Sequence, residues 1–223
     1  MIVFRVKICG ITNVEDARHA AGAGADAIGI NFYGGSVRAV TVDQGRAIAE
    51  AVPDGVAKVG VFVNAGAPEV RQTAERLKLD YVQLHGDEPP SVLGELAGLR
   101  VIRAFRLGHA GWQPLVDYLA ECRRLDEMPV AILADACREG AFGGTGQAAD
   151  WTVARQFHEL HLGLPLILAG GLTPQNVAEA IAAVSPTAVD TASGVESSPG
   201  CKDIAKITAF IAESRMAMRG ERL

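Results

Sequence analysis

Phe4-Arg5-Val6-Lys7-Ile8-Cys9-Gly10-Ile11-Thr12-Asn13 carries a short β-branched run into a turn and then a helix signal. The run Phe4–Cys9 reads as a strand. Thr12 followed by Glu15 is a capping box, and Val14, Ala17 and Ala21 then share one helical face. A doubly wound nucleotide-binding sheet would place G-x-G-x-x-G in the turn after its first strand. Cys9-Gly10-Ile11-Thr12 stands there instead.

The same strand–helix unit recurs along the chain. Further strands are expected near Ala27–Phe32, Ala57–Val63, Tyr81–Leu84, Val101–Phe105, Val130–Asp135, Leu166–Ala169 and Ala188–Asp190. Most are continuously apolar rather than alternating, as parallel strands covered on both faces are. Helical stripes separate them. Thr41 and Gln44 repeat the capping box before Ile48 and Val52. Val70, Ala74 and Leu77 form one stripe, and Leu115, Leu119 and Cys122 another. Asp150 can cap a helix carrying Val153, Phe157 and Leu160. Thr173 reads as an N-cap with Pro174 at the first helical position, and Ile204, Ile207 and Ile211 mark the last helix. Pro89–Ala97 is a weak helix because Gly94 interrupts it.

Eight such units in 223 residues fit a single α/β domain, a (β/α)8 barrel of parallel strands spanning 1–223. An open doubly wound sheet has the same alternation and is the rival. The count of eight and the first turn favour the barrel. The longest loop, residues 136–149, is glycine-rich and expected to be mobile near the active site.

Composition excludes several classes. Hydrophobic residues make up 49% and charged residues 21%, too apolar for a disordered chain. The net charge of −5 and the dispersed Lys and Arg argue against nucleic acid as a partner. No apolar run approaches the roughly 18–20 residues of a membrane span, and the start lacks a signal-peptide pattern. The four cysteines, Cys9, Cys122, Cys137 and Cys201, form no C-x-x-C pair, which argues against zinc and a disulfide framework. A cytoplasmic enzyme, monomer or homodimer, without metal or other cofactor is expected.

Barrel chemistry lies at the C-terminal strand ends. Those ends offer Cys9, Asn31, Asn64, His85, Arg106, Asp135, Gly170-Gly171 and Asp190. Gly170-Gly171 after the seventh strand and Ser193-Gly194 after the eighth are where barrels commonly build a phosphate site from backbone N–H groups. The plainer reading is two ordinary turns. Cys9 is either a small buried hydrophobe or, at the barrel mouth, a base or nucleophile. Asp135 is either a cap or ion-pair partner, or an acid facing Cys9 across the mouth. Arg38 sits in the loop Gly34-Gly35-Ser36-Val37-Arg38, where its planar fork suits a carboxylate or phosphate. His85 is structural or substrate-orienting.

At these residues the chain resembles the phosphoribosylanthranilate isomerase family of tryptophan biosynthesis. The matching segments are Val6–Asn13, Gly60–Asn64, Val82–Gly86, Ile132–Asp135, Gly143–Gly146, Ala169–Leu172 and Ser193–Glu196. The resemblance implies a cofactor-free Amadori rearrangement of N-(5-phosphoribosyl)anthranilate to 1-(2-carboxyphenylamino)-1-deoxyribulose 5-phosphate. Asp135 would be the general acid and Cys9 the general base. Arg38 would hold the anthranilate carboxylate, with Gln83, His85 and Asp190 as further substrate contacts. Gly144, Gly170, Gly171, Ser193 and Gly194 would bind phosphate. The loop before Arg38 departs from the family's usual Y-P-K-S-P-R, and its glycines imply a looser loop. Among other sugar-phosphate barrels, an epimerase needs strand-end His and Asp metal ligands that are missing. An indole-glycerol-phosphate synthase needs strand-end Lys and Glu, whereas Lys7 and Lys58 lie inside or at the start of strands. A phosphate binder without turnover is the non-enzyme alternative, set against the presence of both Cys9 and Asp135.

Overall fold

The computed structural model describes residues 2–107, 111–135 and 151–220. Loop 136–149, with Gly144, and the expected Asp150 cap lie outside the described residues. Eight strands close into a barrel: β1 (Val6–Ile8), β2 (Ala27–Asn31), β3 (Ala57–Phe62), β4 (Tyr81–Leu84), β5 (Val101–Arg106), β6 (Ala131–Asp135), β7 (Leu166–Ala169) and β8 (Ala188–Thr191). Each pairs in parallel with its sequence neighbours, and β1 pairs with β8 to complete the ring. The fold expected from the sequence is the fold formed.

Parallel strands buried on both faces hide their alternation in the sequence, but the structure separates two rows. Ile28, Ile30, Val82, Leu84, Ile132, Ala134, Leu166, Leu168 and Val189 face the helices. Ala27, Ala57, Val59, Tyr81, Ile102, Ala104, Ala131, Leu133, Ile167, Ala169 and Ala188 pack with Ile2 and Phe4 inside the barrel. Tyr81 plugs the N-terminal end: its ring meets Phe4 edge-on at 5.5 Å, and its hydroxyl accepts from Val3 N at 3.1 Å. The side-chain period of two continues upward from this inner row. It turns Lys7, Gln83, Asp135 and Asp190 inward, and takes Cys9 and His85 with them.

The helices are α1 (Val14–Gly22), α2 (Val42–Ala51), α3 (Ala67–Leu77), α4 (Ser91–Glu95), α5 (Gln113–Arg124), α6 (Trp151–Arg155), α7 (Val177–Val184) and α8 (Ile204–Arg219). Thr41 and Gln44 form the expected capping box of α2. The stripes Val70–Ala74–Leu77 and Leu115–Leu119–Cys122 are buried as expected.

Four helix details differ from the sequence reading. Asn13, not Thr12, caps α1 by accepting from Asp16 N, because the Thr12 hydroxyl donates instead to Gly200 O. Helix α7 starts at Val177, four residues after Thr173. There Asn176 Oδ1 accepts from Thr173 N, so residues 174–176 form a turn first. Helix α6 tightens at Gln156 into a 3-10 turn ending at His161, whose left-handed backbone stops it. In α8, Ile204 is exposed, and the buried face is Ile207, Phe210, Ile211 and Ser214.

One element was not expected at all. After β8, a 3-10 turn (Ser193–Val195) leads into a two-stranded antiparallel ribbon, β9 (Glu196–Ser198) and β10 (Cys201–Lys202). It stands beside the barrel mouth and is tied to the first loop by the Thr12 hydroxyl.

Leu133 lies in the inner layer with no exposed surface. Leu133→Ala is expected to lower unfolding free energy by about 2–5 kcal/mol in urea titrations, since neighbouring strands cannot collapse into the gap.

Candidate active site

The inward rows open into a cavity of about 260 Å³ at the C-terminal ends of the strands. Cys9, Arg38, Gln83, His85, Asp135, Gly170, Gly171, Asp190 and Ser193 all border it, so nearly every described candidate from the sequence meets there. Asn31 borders it too, while its amide oxygen accepts from Tyr33 N at 2.9 Å. Asn64 and Arg106 do not border it. Asn64 instead ties the β3 and β4 loops, accepting from Asp87 N at 2.7 Å.

Cys9 follows β1, and room for it comes from the neighbouring strand. A Cβ on Gly29 would stand 2.6 Å from the Cys9 sulfur. Below it, the fully buried Lys7 ammonium donates to Asp190 Oδ1 at 2.9 Å. Lys7 and Asp190 are register partners across β1 and β8, so both side chains point inward at the same height. The Lys7 charge also acts on Cys9, and each favours the charged form of the other. Burial pushes the Cys9 thiol above its ordinary pKa. Lys7 is the strongest opposing influence, Asp190 adds to the rise, and Lys202 pulls down. For Lys7 itself burial works downward, yet Asp190 and Cys9 outweigh it and keep its pKa raised.

Asp135 ends β6 and faces His85 from β4, with His85 Nε2 at 3.8 Å from Asp135 Oδ2. The other ring nitrogen, Nδ1, lies 2.9 Å from Gln83 Nε2. With the amide donating, Nδ1 is the acceptor and Nε2 carries the proton towards Asp135. Gln83 Oε1 is buried with no hydrogen-bond partner among the described residues.

Arg38 is the residue whose placement the sequence left loosest. The loop is in fact organised by short-range bonds. Ser36 N donates to Tyr33 O at 3.0 Å, Arg38 N to Ser36 Oγ at 3.1 Å, and Val40 N to Asn31 O at 2.9 Å. Its guanidinium is gripped by Glu196, which accepts from Nε and from Nη2, both at 2.7 Å. Lys202 in turn donates to Glu196 Oε1 and to Ala192 O, each at 2.9 Å. Burial alone would raise the Glu196 pKa, but Arg38 and Lys202 reverse this and hold the carboxyl below its ordinary range.

The two glycine turns differ. Gly170 and Gly171 have φ of 92° and 66°, conformations that favour glycine. They border the cavity with Ser193. Gly194 does not border it. A Cβ there would sit 1.8 Å from the Leu172 carbonyl oxygen, because the turns after β7 and β8 pack backbone to backbone. The Thr191 hydroxyl joins the same oxygen at 2.7 Å. Gly194 therefore supports the cavity wall from behind.

Lys7, Glu196 and Lys202 were not among the sequence candidates. Lys7 had a visible signal, a charge inside an otherwise apolar strand. Glu196 closes the matching segment Ser193–Glu196 but was given no role, and Lys202 had no signal, because only the ribbon brings them to Arg38. Among the described residues, no group of three or more His, Cys, Asp or Glu is placed to hold a metal ion. No helix among them is long and apolar enough to cross a membrane.

Residues 6–213 match the family described as N-(5'phosphoribosyl)anthranilate (PRA) isomerase. The chain is 46% identical over 216 residues to N-(5'-phosphoribosyl)anthranilate isomerase of Acidithiobacillus ferrooxidans, covering 96% of this chain and 99% of the relative. The crystal structure of phosphoribosyl anthranilate isomerase from Thermotoga maritima superposes with a TM-score of 0.83 at 36% identity, covering 96% of this chain and 99% of that one. A structure of this isomerase in complex with reduced 1-(o-carboxyphenylamino)-1-deoxyribulose 5-phosphate gives a TM-score of 0.78 at 35% identity, over 96% and 99% of the two chains. With the family model matching residues 6–213 and the relatives covered almost in full, the chain belongs to the phosphoribosylanthranilate isomerase family.

Proposed function

We propose that Cys9 and Asp135 carry out the isomerisation that names the family, the Amadori rearrangement of N-(5-phosphoribosyl)anthranilate. The observation that carries this reading is that both open from separate strands into one cavity, which Arg38 and the Gly170-Gly171 turn also border. A substrate with a carboxylate at one end and a phosphate at the other would place its ribose between them.

Asp135 gives its proton to the ring oxygen, and the ribose opens to a Schiff base. Cys9 as thiolate then takes the proton from C2. The enolamine that forms tautomerises to the ketone. These steps move protons only, so the reading includes no cofactor. His85, with its proton towards Asp135, orients that carboxyl. Gln83 holds the His85 ring from below, and Asp190 is an acceptor for a substrate hydroxyl. Arg38 receives the anthranilate carboxylate, and the backbone at Gly170, Gly171 and Ser193 receives the phosphate, with Gly144 as a further contact.

Turnover tests the pair directly. Cys9→Ala and Asp135→Asn are each expected to lower kcat by about 10²–10⁴-fold in a fluorescence assay of anthranilate-substrate loss. Near-parental turnover in Cys9→Ala would overturn the assignment of the base.

The pH profile follows from the sign of the Cys9 shift. Only the thiolate accepts a proton, and burial raises the thiol pKa. The rising limb of kcat/KM is therefore expected on the alkaline side of an ordinary thiol. The charged groups acting on Cys9 are Lys7, Asp190, Lys202 and Arg38. Lys7→Met removes the nearest cation and leaves Asp190 opposing the thiolate, so the limb moves further alkaline. A limb that stays in place would show that Lys7 does not stabilise the thiolate.

The two glycine turns give a third test. Gly171 has open space where a Cβ would go, so Gly171→Ala is expected to cost only the backbone strain, about 1–3 kcal/mol. Gly194→Ala meets the Leu172 carbonyl and is expected to lower the melting temperature much further. Equal melting temperatures for the two variants would contradict the packing described.

A further inference from the structure

We propose that Glu196 is a positioning residue that makes the site selective for a carboxylate-bearing substrate by fixing which edge of Arg38 faces the cavity. The inference rests on the reading that Arg38 receives the anthranilate carboxylate. Its carrying observation is separate: the bidentate grip of Glu196 on Nε and Nη2.

A guanidinium offers donors along two usable edges, and a planar carboxylate can occupy one edge at a time. Glu196 takes the Nε–Nη2 edge. Nη1 forms no hydrogen bond among the described residues, and together with the second hydrogen of Nη2 it makes up the edge left for substrate. The stem is held as well. Arg38 Cδ passes over Gly10, where a Cβ would stand only 2.5 Å away. Fixed at its stem and along one edge, the fork cannot swing to meet a ligand in another plane.

Glu196 is itself immobilised. Its side chain is 4% exposed, and the fully buried Lys202 ammonium holds Oε1 while also donating to Ala192 O. The β9–β10 ribbon brings the two together as register partners. Lys206 adds a bond to Glu196 O at 2.7 Å. The cluster Arg38–Glu196–Lys202 carries a net charge of one positive unit, so Glu196 does not cancel the attraction for an anion.

Two roles for Glu196 predict opposite signs. If it only dampened positive charge, removing it would tighten binding of an anionic ligand. If it positions Arg38, removing it frees the fork to wander and binding weakens although the charge has grown. The experiment measures affinities for the reduced product 1-(2-carboxyphenylamino)-1-deoxyribulose 5-phosphate and for the matching phenylamino compound without the carboxylate. Their ratio is the discrimination. Parent, Glu196→Gln, Glu196→Asp, Arg38→Ala and the Glu196→Gln/Arg38→Ala double variant are compared, with inorganic phosphate binding as a check on the fold.

Discrimination is expected to fall about 10-fold in Glu196→Gln, the lower range for a lost charge-assisted contact. Glu196→Asp keeps the charge but shortens the reach, so it is expected to fall between Gln and parent. Steady-state kinetics should show the loss in KM more than in kcat, because the carboxylate lies away from the reacting bonds. The double variant should match Arg38→Ala alone. Unchanged or increased discrimination in Glu196→Gln, with Arg38→Ala still losing it, overturns the proposal and leaves the Arg38 reading standing. Should Glu196→Gln not fold, the Asp variant decides: parental discrimination there overturns the proposal. Unaltered discrimination in Arg38→Ala removes the carboxylate contact and the proposal together.

Discussion

Lys7 and Asp190 meet across the seam where β1 and β8 close the barrel. A buried ammonium without a partner would be costly, so the closing register has one acceptable solution. A slip of one residue would turn Lys7 out among the helices and strand Asp190 inside. The pair therefore does more than join two strands. It fixes the height and facing of the next inward residue, Cys9, just past the end of β1. It also puts a cation beneath the thiol proposed to act as the base. Breaking either partner would disturb closure and chemistry together, because a lone buried charge is what remains.

The site divides into three parts built by different means. The inner strand rows supply Cys9, Gln83, His85 and Asp135, and their placement is as rigid as the barrel wall. The turns after β7 and β8 are held by backbone against backbone, with Gly194 under the Leu172 carbonyl. Arg38 comes from a hydrogen-bonded loop, and its guanidinium is secured by an appendage, the β9–β10 ribbon. Strand ends therefore carry the groups proposed to transfer protons, while a contact from the ribbon sets the angle of Arg38.

The eight strands were legible because parallel strands leave dense β-branched runs, and Tyr81–Leu84 and Leu166–Ala169 match residue for residue. That Cys9 and Asp135 reach the barrel mouth was legible because each stands at or just after the end of such a run. Helix starts were less so. Thr12 and Asn13 are both good caps, and the choice between them depends on Gly200, some 188 residues away in sequence. Thr173-Pro174 carried a start signal that Asn176 overrode locally. The alternation that turns Lys7 inward is masked where both faces are apolar, so a strand-interior lysine read as irrelevant to the site. Glu196 and Lys202 lie in a short ribbon with little apolar patterning, and only its folding back to Arg38 shows what they touch.

The setting of Cys9, partly enclosed at the barrel mouth, has a further consequence for the lifetime of the protein. Peroxides and electrophiles attack thiolates, and attack scales with the thiolate fraction and with access. A sulfur tucked against Gly29, with its pKa held up, presents little of that form between turnovers. Cys201, by contrast, is exposed on the ribbon and takes no part in the proposed proton transfers. Oxidants in the surrounding medium would meet the Cys201 sulfur first. Partial enclosure and a raised pKa together leave Cys9 the less open to attack of the two.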